Sequence, residues 1–586
     1  MDENFSITCQ SFKVKLGKLK HSWIKKDNQS TMKHIKSSLL AILLLFSLSW
    51  GVAQRDLGRE SVEVIRSFEA TLLESEKIDL APQLPPIDTT AKRQQYSVPL
   101  QTMSVNYPPP RIRPIAFESD RLPTSYNGYI KGGGGFPNSF YGKGTYHIFA
   151  QEKLDIGIDL NHHTANNSAQ IENQRFSKTS LMAQGTNYSE SGLALRGKVG
   201  YTSDNVYFYG YNAERENLIG GDTLSIPKEE VQQTFSIFDL GVQVFNGVRT
   251  AGDVNYSAGF DLYAMGDITP SAETGFDLKL SGEKWFANKH ALRLLLRTDF
   301  TRYSTTSDSV QRLNNFFLQP NFTFTSSAFK FKVGVNIATN NDKFSFFPDL
   351  ELSANAIENL LTIFAGAHGD FNKNNFRNLA AYNPYILSRV NIRNTRYNNY
   401  YIGAKGNIQG IAYQGEFGYK TTTDLALFLS ATNESNQFDR FNRFQVLYDD
   451  VNIVFIKGTI QFDIEDFKIT GILNQNFYEL KSEVNEKAWH LPALDLNLGV
   501  KYTTLEDKLQ LKGEMYVQNG VPYRNDEGKA ATLNALFDVS VGAEYFFSEK
   551  IGAFINIFNL ANNKRERWHR YPTFGVNALA GLSIRF

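Results

Sequence analysis

Apolar and polar residues alternate along most of this chain, most plainly at its end. Phe586, Ile584, Leu582, Ala580, Ala578, Val576 and Phe574 fall on one face. Arg585, Ser583, Gly581, Asn577 and Gly575 fall on the other, and only Leu579 breaks the rule. A period of two is the side-chain period of a β-strand, and a single apolar face must meet either a core or a lipid bilayer. The pattern recurs from about Gly128 onward. Lys330 to Ile337 alternates cleanly, and in Ala291 to Phe300 the residues Leu292, Leu294, Leu296 and Phe300 oppose Arg293, Arg297 and Asp299. Leu494, Leu496, Leu498, Val500 and Tyr502 oppose Asp495, Asn497 and Lys501. The next segment repeats this, with Leu509, Leu511, Met515 and Val517 against Gln510, Lys512, Glu514 and Tyr516.

The connections separate core from bilayer. Counted back from the end, long and short linkers take turns. Arg565 to His569 lies in a long one, Ser548-Glu549 in a short one, Gly520 to Thr532 in a long one, and Leu505 to Asp507 in a short one. Lys481 to Trp489 is again long and Glu465-Asp466 short. Further back, Asn288-Lys289 and Ser326-Ser327 are tight, whereas Thr305 to Arg312 and Asn372 to Asn399 are open. Tight turns on one side and long loops on the other are expected of bacterial membrane barrels, and soluble sandwiches have no reason to segregate them. The fold class expected is all-β, a large antiparallel transmembrane β-barrel of about 22 strands within a range of roughly 16 to 24. Its apolar faces would turn outward to lipid.

Composition agrees with strands rather than membrane helices. Mean hydropathy is −0.33 although aromatics reach 13%. Helical spans would need runs of about 20 apolar residues, whereas a barrel keeps every second residue polar. With 61 Lys+Arg against 60 Asp+Glu, no basic face advertises nucleic acid. The single cysteine, Cys9, excludes a disulfide framework and a thiolate metal site.

The first part of the chain differs in character. Residues 1–31 are read as a non-native or upstream extension. Residues 32–53 are read as a signal peptide: a basic start at Met32-Lys33-His34, the apolar run Leu39 to Leu48, and a small-x-small site ending at Ala53. Residues 54–127 are expected to form a periplasmic segment and a Pro-rich connector. Within it, Ser61 to Ile78 fits a helix or a short strand, and Tyr107 to Pro114 is a stiff extended stretch with too little apolar clustering for a domain core. Residues 128–586 would be the barrel.

Phe558-Asn559-Leu560-Ala561-Asn562-Asn563, the following Arg567-Trp568-His569-Arg570-Tyr571-Pro572, and the closing strand with terminal Phe586 resemble the barrel of TonB-dependent receptors of the Bacteroidota type. That resemblance implies an outer-membrane location, and it makes Leu582, Ile584 and Phe586 the signal read by the outer-membrane assembly machinery. It also implies a globular plug before the barrel, for which residues 54–127 are short. Glu60-Ser61-Val62-Glu63-Val64-Ile65 resembles a TonB-contacting box, and the same residues fit an amphipathic helix or a linker. Contact with TonB is left open.

No constellation points to catalysis, a cofactor or a metal. His162 and His163 are adjacent and would face opposite sides of a strand. His368 and Asp370 would share a face with no serine beside them, and Gly132 to Gly135 lacks the lysine and helix of a phosphate loop. The glycines fit a strand that bends or packs closely. Arg293, Arg297, Asp299, Lys330, Lys332, Asp495, Lys501, Lys512 and Glu514 are the lumen-facing candidates, and their mixed signs suggest a salt-bridged lumen rather than a selective filter. Tyr385, Tyr397, Tyr400, Arg565, Arg567, Trp568 and Arg570 are the candidates for extracellular contact with carbohydrate or protein. Two functions compete. One is a transporter or channel without a normal plug. The other is a structural barrel subunit serving periplasmic or lipoprotein partners. In both, the N-terminal segment and the C-terminus are periplasmic and the wall faces outer-membrane lipid.

Overall fold

A computed structural model describes residues 126–586, apart from 151–152, 212–224, 307–309, 359, 433–440 and 465. The upstream extension, the signal peptide, the Glu60 to Ile65 stretch and the Pro-rich connector lie outside the described residues.

Strands β1 (Gly128–Phe136), β2 (Ser139–Ala150), β3 (Leu154–Asn166), β4 (Arg175–Tyr188) and β5 (Leu193–Tyr207) open the wall. They are followed by β6 (Gln232–Asn246), β7 (Val254–Gly266), β8 (Ala272–Phe286), β9 (His290–Ser304) and β10 (Gln311–Thr325). Then come β11 (Phe329–Asn340), β12 (Lys343–Ile357), β13 (Leu361–Asn374) and the short helix α1 (Phe376–Tyr382). The wall resumes with β14 (Arg393–Ile408), β15 (Ile411–Ser430), β16 (Phe444–Ile464), β17 (Phe467–Leu480), β18 (Leu494–Thr504) and β19 (Leu509–Asn519). A small hairpin, β20 (Pro522–Arg524) with β21 (Ala530–Thr532), precedes β22 (Leu536–Phe546) and β23 (Ile551–Phe558). A second, β24 (Glu566–Trp568) with β25 (Tyr571–Pro572), precedes the last strand, β26 (Asn577–Arg585).

Leaving the two hairpins aside, each strand pairs antiparallel with its successor and β26 returns to β1, so 22 strands form one closed sheet. This is the barrel and the strand number that the alternation led us to expect. Its outer face carries the apolar set: Leu292, Leu294, Val333, Ile456, Val500 and Leu511 are all exposed, as are Leu582, Ile584 and Phe586. Leu579, the one break in the last strand, points inward and is only 3% exposed. It packs the inside of the wall, so the break leaves the outer stripe intact.

The barrel has a terminal end, where β1 starts and β26 finishes, and an opposite loop end. Turns at the terminal end are short, as at 287–289, 326–328, 409–410 and 505–508. Several use residues with positive φ, such as Ala287-Asn288 and Leu505-Glu506-Asp507. The loop end carries the long connections 208–231, 375–392, 431–443, 481–493, 520–535 and 559–576. Two tight hairpins, at Pro137-Asn138 and Asn341-Asp342, break the segregation at that end.

Closure depends on small residues. The register runs from Tyr129 opposite Arg585 to Phe136 opposite Ala578. At the terminal end, the Gly128 N–H donates to the Phe586 carbonyl at 2.8 Å and the Phe586 N–H to the Gly128 carbonyl at 2.9 Å. A Cβ on Gly133 would stand 2.3 Å from the Ala580 carbonyl oxygen, and one on Gly135 would stand 1.7 Å from that of Ala578. The Gly132 to Gly135 run is therefore a site of close backbone approach. Gly135→Val is expected to prevent closure and abolish the folded band in heat-modifiable gel migration. Gly513→Val, where an added Cβ meets nothing within 4 Å, is expected to retain it.

Candidate functional site

Inside the wall, charged side chains meet in pairs. Arg297 reaches both carboxylate oxygens of Asp370, at 3.1 and 3.2 Å, while its guanidinium lies 3.8 Å from the centre of the Phe317 ring. Asp299 takes Lys373 at 2.5 Å, and the same ammonium stands 3.7 Å from Asp277. Lys332 meets Asp349 at 2.6 Å. Asp495 accepts from the Tyr516 hydroxyl and from Gln518 Nε2, both at 3.1 Å. Arg293 is half-buried on the inward face, and Glu514 has a partner of its own. Lys330, Lys501 and Lys512 are exposed. Such pairs inside a wide barrel fix side chains and balance charge rather than supply large stability.

The loop end is different in kind. Inward side chains at the rim, including Phe235, Met265, Tyr303, Leu313, Phe428 and Phe444, form one buried apolar core with residues from the loops. The loops contribute Tyr209, Phe376, Leu379, Ile386, Val390, Trp568 and Tyr571. Tyr385 stacks on Tyr571 with ring centres 3.8 Å apart, and Trp568 packs against Phe428, Phe444 and Tyr382. Each such aromatic pair contributes about 0.5–1.5 kcal/mol beyond its buried area.

Helix α1 is the centre of this cap, and a buried carboxylate anchors it. Glu273 on β8, fully buried, accepts from the backbone N–H of Phe376 at 2.6 Å and of Arg377 at 3.2 Å, from Asn375 Nδ2 at 2.9 Å and from the Tyr263 hydroxyl at 2.8 Å. Asn375 also caps the helix through its side-chain oxygen, which accepts from the Asn378 N–H at 3.1 Å. A negative group at the first turn satisfies N–H donors that have no partner within the helix. Arg377 then forks onto Asp239 of β6 at 2.7 and 3.1 Å. Further along the loop, Ser388 donates to Asp267 at 2.6 Å and its carbonyl accepts from Tyr303. Gln311 holds Val390 and Ile392 through their backbone at 2.8 and 2.9 Å.

His490, in the loop 481–493, fastens the other side. It is 2% exposed; Nδ1 donates to the Phe428 carbonyl at 2.7 Å, and Nε2 accepts from the His569 N–H at 3.3 Å. This pattern fixes the neutral imidazole, and burial among Phe444 and Trp568 pushes its pKa down to about 3. Asp449 on β16 holds the same loop by accepting from Ser482 Oγ at 2.7 Å and Asn485 Nδ2 at 2.8 Å. Asn559 knots the base of the last loop, donating to the carbonyls of Asn563 and Phe574 at 2.9 and 2.8 Å.

The residues singled out for extracellular contact divide accordingly. Arg565 is exposed and Arg567 half-buried. Tyr385 and Trp568 are packed into the cap, and Arg570 is buried with its guanidinium 2.6 Å from Asp526. Tyr397 and Tyr400 belong to the wall, because β14 starts at Arg393 and the loop before it is shorter than the sequence suggested. Tyr397 faces inward near His368, and Tyr400 is exposed on the outer surface. Glu273, Asp239 and His490 carry no local signal distinguishing them from other polar residues. The signal that leads to them is helical spacing at Phe376, Leu379 and Ala380 behind Asn375.

Glu273→Gln would turn an amide group toward the N–H donors of α1 and remove charge-assisted bonds worth about 1.5–3 kcal/mol. Hydrogen exchange across residues 376–382 is expected to accelerate roughly ten- to hundredfold. For His490, the opened loop titrates near the ordinary 6.5 while the closed cap keeps the ring neutral to about 3. The opened state therefore binds the extra proton, so cap stability is level above pH 7 and falls as pH drops from about 6.5 toward 3. Exchange in residues 481–493, corrected for intrinsic rates, is expected to rise at pH 5 relative to pH 7. His490→Asn, which can still donate to Phe428, is expected to lose that dependence.

No family model and no curated protein matches the sequence. Solved structures do resemble the fold. The FrpB iron transporter from Neisseria meningitidis superposes with a TM-score of 0.60 at 8% identity, covering 79% of this chain and 82% of that one. The siderophore receptor PirA from Acinetobacter baumannii gives 0.57 at 11%, covering 80% and 81%. The ferripyoverdine receptor of the outer membrane of Pseudomonas aeruginosa, bound to ferripyoverdine, gives 0.55 at 11%, covering 80% and 72%. The chain shares the barrel fold of these three proteins.

Proposed function

We propose that this protein is an outer-membrane transporter of the TonB-dependent receptor type whose lumen is gated at the loop end by its own loops. The observation that carries this reading is the latched cap: a helix seated on a buried carboxylate at the mouth of a 22-stranded barrel. A wide barrel must be filled, plugged or open. Here an apolar core with charged fasteners spans wall and loops, which is the construction expected of a part that closes in one position and releases in another. The likeness to receptors described as binding a ferric siderophore or transporting iron supports uptake as the task.

In this reading the loop end faces outward and the terminal end, with its short turns, faces the periplasm. The exposed apolar belt meets lipid, and Leu582, Ile584 and Phe586 on its terminal rim are the residues offered to the assembly machinery. Arg565 and Arg567 are the loop residues placed to meet a ligand or partner from outside. Residues 54–127 supply the periplasmic contact.

Planar-bilayer conductance tests the gate. The intact chain is expected to show little ion flow, and the double variant Glu273→Gln/Arg377→Gln to show stepwise openings. Silence from that variant, when it is folded by heat-modifiable migration, would overturn gating by the cap and favour a structural barrel subunit of an envelope complex.

A further inference from the structure

Cross-strand register places two ladders of like charge on the inner wall. On one side Asp261, Asp277 and Asp299 stand directly opposite one another across β7, β8 and β9. On the other, close to the terminal end, Lys468, Lys501 and Lys512 do the same across β17, β18 and β19. Like charges at opposite positions are about 5 Å apart at Cβ and repel unless something answers them.

The aspartates are answered from within the protein. Lys198 meets Asp261 at 2.7 Å, and Lys373 meets Asp299 and Asp277. Of the lysines, Lys468 alone is answered in this way, by Asp463. Near Lys501 stand the carboxylates of Glu544 and Asp463, and Glu514, two residues from Lys512 on the same face of β19, has a partner of its own. Glu544 is held by Lys131 at 3.2 Å and by the Tyr129 hydroxyl at 2.7 Å, and Asp463 by Lys468 at 2.9 Å. Among the described residues, neither Lys501 nor Lys512 forms an ion pair, and both are exposed to the lumen. Glu544 and Asp463 are thus taken by Lys131 and Lys468, and Lys501 and Lys512 face each other across β18 and β19.

We propose that Lys501 and Lys512 form a lumenal binding site for a small multivalent oxyanion of the phosphate class. An ammonium is a point charge with three rotatable donors, suited to a tetrahedral oxyanion approached from two sides. Two such groups on facing strands form a clamp whose mutual repulsion the anion removes. The site does not depend on the gating reading, since it needs only an accessible lumen. The ligand is either free phosphate or a phosphorylated solute, and both present the same group to the lysines.

The test is the thermal unfolding midpoint of the detergent-solubilised full chain at pH 7, titrated with inorganic phosphate, glycerol 3-phosphate, or chloride at matched ionic strength. A ligand bound only by the folded state raises the midpoint in a saturable way. Either phosphate compound is expected to do so and chloride not, and the tighter of the two identifies the source. Lys501→Gln/Lys512→Gln, relieved of repulsion, is expected to be at least as stable in chloride and to lose the phosphate response. In calorimetric titration, each single variant is expected to weaken phosphate binding by about tenfold or more. A wild-type chain that responds equally to chloride, or a double variant that keeps the response, would overturn the site.

Discussion

A sheet with a free edge exposes a row of unpaired N–H and C=O groups, and no lipid can satisfy them. Everything else in this protein depends on removing that edge, and the removal happens where β26 meets β1. The seam is built from glycines because the two backbones come closer there than a side chain permits. Phe586 completes it by pairing with Gly128 through both backbone groups. The same strand therefore closes the ring and presents Leu582, Ile584 and Phe586 on the outer surface.

Closing so many strands encloses a wide interior, and the chain treats its two ends differently. Below the loop end the interior is lined with charged side chains, most of them paired across strands. At the loop end, connections long enough to fold back fill the mouth with aromatic side chains. An apolar core of this kind has no preferred seating of its own. Glu273, Asp239 and His490 supply it, because each meets specific backbone or guanidinium groups in only one arrangement.

The wall was legible in the sequence because its signal is periodic and survives errors in any one strand. Leu494 to Tyr502 and Leu509 to Val517 alternate too regularly to be read otherwise, and the linker lengths then separated the two ends. The interior was harder. That Lys501 faces Lys512, while Asp277 faces Asp299, follows from register, which a strand pattern does not reveal. The cap was hidden for another reason. Tyr385 and Trp568 have the composition of a surface loop, and only neighbours far away in the chain make them core. Tyr397 and Tyr400 were misplaced by the same effect, since an Asn- and Tyr-rich stretch reads as loop even where it continues into β14.

The cap also fixes an order of events during biogenesis. Its contacts join residues such as Gln174 and Pro572, which are 398 positions apart, and Asn375 and Glu273, which are 102 apart. Contacts of such separation cannot form until the intervening wall has brought their bases together. Zippering from hairpin to hairpin and the joining of first strand to last must therefore precede it. The newly closed barrel passes through a stage with its mouth unfilled and its aromatic loops exposed, and the cap is the last part of it to fold.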